Sequence, residues 1–154
     1  MTAELRYDLN TADGAAVATH LAHCDADFIP ALSSRVKIAE YADKIAGRAT
    51  RFEAWSGETL VGLVAAYFDT GEPRVVHITN VSVLREHAGQ GIAAALMEHC
   101  LERAMEQGIG RITLEVGGRN APAVRLYEKF GFRDIDRIGE MIIMECTIGE
   151  RPKT

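Results

Sequence analysis

An apolar, β-branched run from Ile78 to Val83 passes through a short charged loop into Gly89-Gln90-Gly91-Ile92-Ala93, where a helix opens. A helix N-terminus presents N–H groups without partners and the positive end of the helix dipole, so this layout suits an anion, most often a pyrophosphate. Glycine has no Cβ to hold a ligand away from the backbone. A Gly-x-Gly after a strand is shared by many nucleotide binders, and alone it need only mark a tight strand-to-helix turn. A second cluster narrows the field. Residues 114–132 read LEVGGRNAPAVRLYEKFGF, placing an acid (Glu115), an amide (Asn120) and a phenol (Tyr127) in one strand–helix unit.

Together the two clusters resemble the GNAT family of N-acetyltransferases, which move acetyl from acetyl-CoA to amines. The first matches the family's pyrophosphate motif, V-x-V followed by (Arg/Gln)-x-x-Gly-x-(Gly/Ala), as Val81-Ser82-Val83 and then Ala88-Gly89-Gln90-Gly91-Ile92-Ala93. The second matches a pantetheine-contacting Asn followed by A-x-x-L-Y-x-x-x-G-F, here Asn120 and Ala123 to Phe132. Ala88 departs from the pattern and removes one side-chain contact, leaving the backbone donors in place. The resemblance implies that the strands ending at Val83 and Val116 splay apart. The backbone of Val81 and Val83 is then free for the pantetheine amides, and the N–H groups from Gly89 to Ala93 hold the phosphates. Asn120 both donates and accepts, which suits an amide of that arm. It is equally a cap for the helix at Pro122.

Acetyl transfer needs a neutral amine, a polarised thioester carbonyl and a proton for the departing thiolate. The resemblance makes Tyr127 the proton donor and a strand N–H, that of Val81 or Val83, the carbonyl's partner. It makes Glu115 the leading base. His77 is the second candidate, because its ordinary pKa suits proton relay near neutrality and alternation puts it on one sheet face with Thr79 and Val81. By the same resemblance the loop from His23 to Arg35 lines the acceptor site. Asp25 and Asp27 would hold a cationic amine, and Phe28, Tyr41, Trp55 and Tyr67 would supply walls. A small amine, an amino sugar, an amino acid and a peptide N-terminus all remain open as acceptors.

Composition excludes other classes. With 17 basic and 22 acidic residues the 154-residue chain carries −5, which argues against a surface held to nucleic-acid phosphates. Cys24, Cys100 and Cys146 lack metal-ligand spacing and sit among apolar residues. Reduced, buried thiols in a cytoplasmic protein are therefore expected, with no metal site. No apolar run approaches the ~20 residues of a membrane span, and residues 1–6 lack the charged-then-apolar pattern of a leader, so an unprocessed, soluble protein is expected. A homodimer stays open. Two alternatives belong to other classes. One is a non-catalytic acyl-CoA-binding module. The other is a dinucleotide-dependent oxidoreductase, disfavoured because its third glycine and the acid ~20 residues on are missing.

These residues need a scaffold. Leu5 to Leu9 reads as a strand, and Thr11 or Asp13 caps a helix to Cys24. Ser34 caps a second helix that Gly47 ends, with Ile38, Ala42 and Ile45 inward. Phe52–Trp55 and Thr59–Phe68 form a hairpin. A strand at Val75–Val83 precedes a helix at Gly91–Gln107. A strand at Ile112–Val116, a helix at Pro122–Phe130 and two final strands complete the order. The result is an α/β (α+β) domain over residues 1–150 with a polar tail at 151–154. Its mixed, mostly antiparallel sheet is flanked by helices.

Overall fold

The run Thr59–Tyr67 is apolar without alternation, and it forms a strand buried on both faces near the middle of one sheet. The computed structural model describes residues 4–69 and 71–148, so the tail expected at 151–154 lies outside the described residues. The strands are β1 (Leu5–Leu9), β2 (Thr50–Ser56), β3 (Thr59–Tyr67), β4 (Val76–Val83), β5 (Arg111–Gly117), β6 (Arg133–Ile138) and β7 (Met141–Thr147). The helices are α1 (Gly14–Cys24), α2 (Ile38–Arg48), α3 (Ile92–Glu106) and α4 (Ala121–Lys129). The sheet has seven strands in the order β1-β2-β3-β4-β5-β7-β6, and only β4 and β5 run parallel. The element order is the one the sequence predicts.

Helical spacing explains the two outer layers. On one face, α3 buries Ile92, Leu96, Met97, Cys100, Leu101 and Ala104. On the other, Val17 and Leu21 of α1 and Ala42 and Ile45 of α2 pack on Leu60, Leu63 and Ala65 of β3. Each such Leu or Ile contributes ~1.5–3 kcal/mol when fully buried. Asp13 caps α1, accepting from Ala16 N at 2.8 Å. Just before it, the buried Glu53 carboxylate of β2 accepts from the N–H groups of Thr11 and Ala12 and from Trp55 Nε1. A buried carboxylate needs such donors, and here they fix where α1 leaves the sheet. No helix among the described residues is long and apolar enough to cross a membrane.

Two local readings change. Ser34 does not cap α2: its hydroxyl donates to Ala31 O inside a 3₁₀ turn (Leu32–Ser34), and the helix begins four residues later, at Ile38. Gly47 lies within α2 rather than beyond it, and Arg48 is the last helical residue. A short polar residue near a helix start satisfies a turn as readily as a cap, and the turn prevails here.

A third change alters the site. In the β3–β4 ladder Ala65 opposes Asn80 and Ala66 opposes Ile78, so Thr79 is an extra residue, a β-bulge. Strict alternation predicts His77, Thr79 and Val81 on one face. The bulge instead turns Val81 toward the α3 side, where it packs on that core. Asn80 and Ser82 turn toward α1, and Ser82 meets His20 of that helix.

Candidate active site

The parallel pairing of β4 with β5 covers only Val76–Ile78 against Ile112–Leu114, and beyond it the strands part. Between them lies a cavity of ≈ 510 Å³. Leu84 N donates to Val61 O on β3 at 2.8 Å. Alternation from there turns the N–H groups of Val83 and Val81 to the opposite edge, the one β5 has left. A backbone edge without a strand partner is what a ligand rich in amides can pair with. The connection from α1 to α2 crosses the opening. Its Ile29 carbonyl lies where a Cβ on Gly117 of β5 would stand, so glycine is required there for the loop to seat. At the other end Arg85 pairs with Asp27 of the same loop.

Beyond the end of β4, Gly89 and Gly91 have φ of 82° and 78°, a left-handed conformation that glycine adopts without penalty. Gly91 is the N-cap of α3 and supplies no side-chain hydrogen bond, which leaves first-turn N–H groups without a cap. Nothing stands within 4 Å of a Cβ built at either glycine, so the space before the helix is open. Ile92 points its side chain into the core and offers only its backbone there, while Ala88, Gly89, Gln90 and Gly91 are exposed. Ala93 lines the cavity.

Tyr127 of α4 lines the cavity at 6% exposure, its ring 6.1 Å from that of Phe132. Burial pushes its phenol well above the ordinary tyrosine value, so it stays protonated at neutral pH. Asn120 caps α4, its Oδ1 accepting from Ala123 N at 3.3 Å, and the residue also lines the cavity. Its NH₂ group remains as a donor.

On the α1–α2 side the wall holds His77, Glu115, Tyr41, Thr79 and Arg35. His77 Nδ1 lies 3.0 Å from Thr113 Oγ1 on β5, and burial holds its pKa below the ordinary histidine value, partly offset by Glu115. It is therefore neutral near pH 7 and able to accept a proton. Glu115 is partly exposed and lies 3.6 Å from Arg35 Nη2. Tyr41 donates to Thr79 O at 2.6 Å and so pins the bulge. Val81, Ser82, Val83, Asp27 and Phe28 also border the cavity.

Three residues expected at the acceptor site lie elsewhere. Asp25 turns to its own loop, accepting from Ser33 N and Oγ at 2.6 and 2.7 Å. Trp55 belongs to the core between the sheet and α1–α2. Tyr67 lies outside the cavity, with Lys44 Nζ 5.6 Å from its ring centre. Sequence reading missed the opposite kind of residue, polar groups in otherwise apolar elements. His20 is 2% exposed, with Nδ1 2.9 Å from Leu60 O and Nε2 2.8 Å from Ser82 Oγ, which in turn meets Asn80. The carbonyl can only accept, so Nδ1 carries the ring proton. Its spacing with Val17, Leu21 and Cys24 on one helix face was the available signal.

Burial lowers the His20 pKa from 6.5 to about 4. Between those values the unfolded chain binds more protons than the folded one, so stability is full above pH 6.5 and falls as pH drops toward 4. The loss is roughly 3 kcal/mol once pH is below both values. Urea unfolding of the wild type and His20→Gln across that window is expected to show a shallower pH slope in the variant. Parallel slopes would remove His20 as the cause.

Residues 16–132 match the acetyltransferase (GNAT) family model. Streptothricin acetyltransferase of Streptomyces lavendulae is 37% identical over 73 residues, 47% of this chain and 38% of that protein. The uncharacterized N-acetyltransferase YsnE of Bacillus subtilis is 34% identical over 87 residues, 54% of this chain and 56% of that protein. The chain thus spans from little more than a third to about half of the length of these relatives. Among solved structures, the PaiA N-acetyltransferase of Thermoplasma acidophilum in complex with coenzyme A superposes with a TM-score of 0.70. That likeness covers 92% of this chain and 99% of that one at 14% identity. The chain belongs to the GNAT family of acetyltransferases.

Proposed function

We propose that the chain transfers the acetyl group of acetyl-CoA to a primary amine by direct attack in a ternary complex. The observation that carries this reading is that the free edge of β4, at Val81 and Val83, and the first turn of α3, at Ala93, border the same cavity. The edge suits the amides of a pantetheine arm, and the helix end suits a pyrophosphate. In the reaction the amine nitrogen forms a bond to the thioester carbon and the carbon–sulfur bond breaks. Glu115 or His77 takes the amine proton, and Tyr127 supplies one to the sulfur. An N–H on the edge of β4 receives the charge that develops on the carbonyl oxygen. All three side chains line the one cavity.

CoA at ~100 times its Kd is expected to stabilise the fold by ~2.7 kcal/mol, read as a rise in melting temperature that NAD and ATP do not reproduce. Gly91→Val places a branched side chain in the open space before α3 and strains a left-handed residue, so its affinity for CoA should fall about tenfold or more. Ala88→Arg, which restores the side chain usual in the family, should leave binding intact or tighten it. Unchanged CoA affinity in Gly91→Val would displace the phosphates from this loop.

A further inference from the structure

Burial raises the pKa values of Cys24, Tyr41 and Tyr127 and keeps them neutral, so the charged or chargeable side chains that line the cavity are Asp27, Arg35, His77 and Glu115. Asp27 is held by Arg85, and His77 is neutral near pH 7. Among the described residues, the wall therefore leaves one cation and one anion paired only loosely with each other, Arg35 and Glu115. Arg35 Nη2 and Glu115 Oε2 are 3.6 Å apart, beyond hydrogen-bond length, with side chains 39% and 45% exposed. Such a pair is worth little to the fold and is readily exchanged for ligand groups. The Arg35 backbone is nonetheless fixed. Its N–H donates to Leu32 O at 2.9 Å, Leu32 is buried, and Asp25 braces the neighbouring Ser33.

Resting on the acetyl-transfer reading, we infer that the acceptor is a free α-amino acid, its carboxylate on Arg35 and its amine beside Glu115. In such a zwitterion the amine nitrogen and a carboxylate oxygen lie about 3 Å apart, as covalent geometry dictates. That spacing is close to the separation of the protein's own two charges. One loose protein pair is exchanged for two ligand pairs, and the planar guanidinium fork matches a carboxylate in two parallel hydrogen bonds. An amine lacking the carboxylate would set its ammonium beside an unmatched guanidinium. A peptide N-terminus offers a neutral amide at that place. The ≈ 510 Å³ cavity must also admit the pantetheine arm, and it leaves room for a small acceptor at the Arg35–Glu115 mouth.

The test is acetyl transfer to a set of common α-amino acids, their carboxamides and their decarboxylated amines, by wild type, Arg35→Lys and Arg35→Leu. For a preferred amino acid the wild type should exceed the carboxamide and the plain amine by roughly 10- to 100-fold in kcat/KM. Arg35→Leu should bring that ratio close to one, mainly through KM, and Arg35→Lys should keep part of it. The same amino acid should raise the melting temperature of the CoA-bound wild type but not of CoA-bound Arg35→Leu. Wild-type transfer to amides or plain amines as fast as to amino acids would overturn the inference and leave acetyl transfer standing. Transfer to no member of the set, with CoA bound, would overturn the inference, and silence on amino sugars and peptide N-termini as well would overturn acetyl transfer.

Discussion

Tyr127→Phe is expected to slow acetyl transfer by roughly 10²- to 10⁴-fold, the usual worth of general acid help, with little change in acetyl-CoA affinity. The substitution removes one hydroxyl and almost no volume. The ring is 6% exposed and packs on Phe132, and a phenylalanine keeps those contacts. Burial makes the phenol a weaker acid than usual, which keeps it loaded throughout the assay range. The departing thiolate in the same cavity is also deprived of water, so its demand for a proton rises in parallel. A ring present only for packing gives the opposite pattern. Turnover of saturated enzyme would survive, and any loss would be confined to stability or cofactor affinity. Pre-steady-state measurement of the transfer step separates chemistry from product release, and an undiminished step would remove Tyr127 from the mechanism.

The second large effect falls on the base. Glu115→Gln is expected to reduce kcat/KM at neutral pH by roughly 10²- to 10⁴-fold. Activity should return partly at high pH, where the amine loses its proton unaided. Part of any loss at Glu115 reflects Arg35, which the carboxylate faces at 3.6 Å, so the pH profile decides more than the single rate. His77→Gln supplies the contrast. If His77 takes the proton, the wild-type rate falls on the acid side at a pH below the ordinary histidine value of 6.5, because burial lowers its pKa. That limb should disappear in His77→Gln and persist in Glu115→Gln. Full activity at neutral pH in both variants would place the base elsewhere.

Much of the scaffold was legible because its signals are local. Glycines before α3, a proline opening α4 and an unalternating run for β3 each state their own conformation. The strand edge and helix end proposed to hold the cofactor were legible for the same reason: both are backbone features, and backbone features follow from short sequence. The acceptor side was not. The Thr79 bulge arises from the register of β3 against β4, a pairing no window of β4 alone reveals, and it exchanges the faces of Val81 and Asn80. Asp25 looked available for an amine until the loop turned it onto Ser33. Trp55 alternates plausibly with a cavity wall, yet β2 sends it into the core under α1 and α2. Arg35 drew no attention in sequence because its meaning depends on Glu115, 80 positions away, reaching the same mouth.

The most direct measurement of the central claim is single-turnover transfer from acetyl-labelled CoA to a panel of primary amines, read by mass. Acetyl transfer through a ternary complex predicts label on an amine nitrogen and free CoA in equal amount, with no labelled protein at any time. Tight binding of acetyl-CoA with every amine left unlabelled, or label lodged first on the protein, would contradict it.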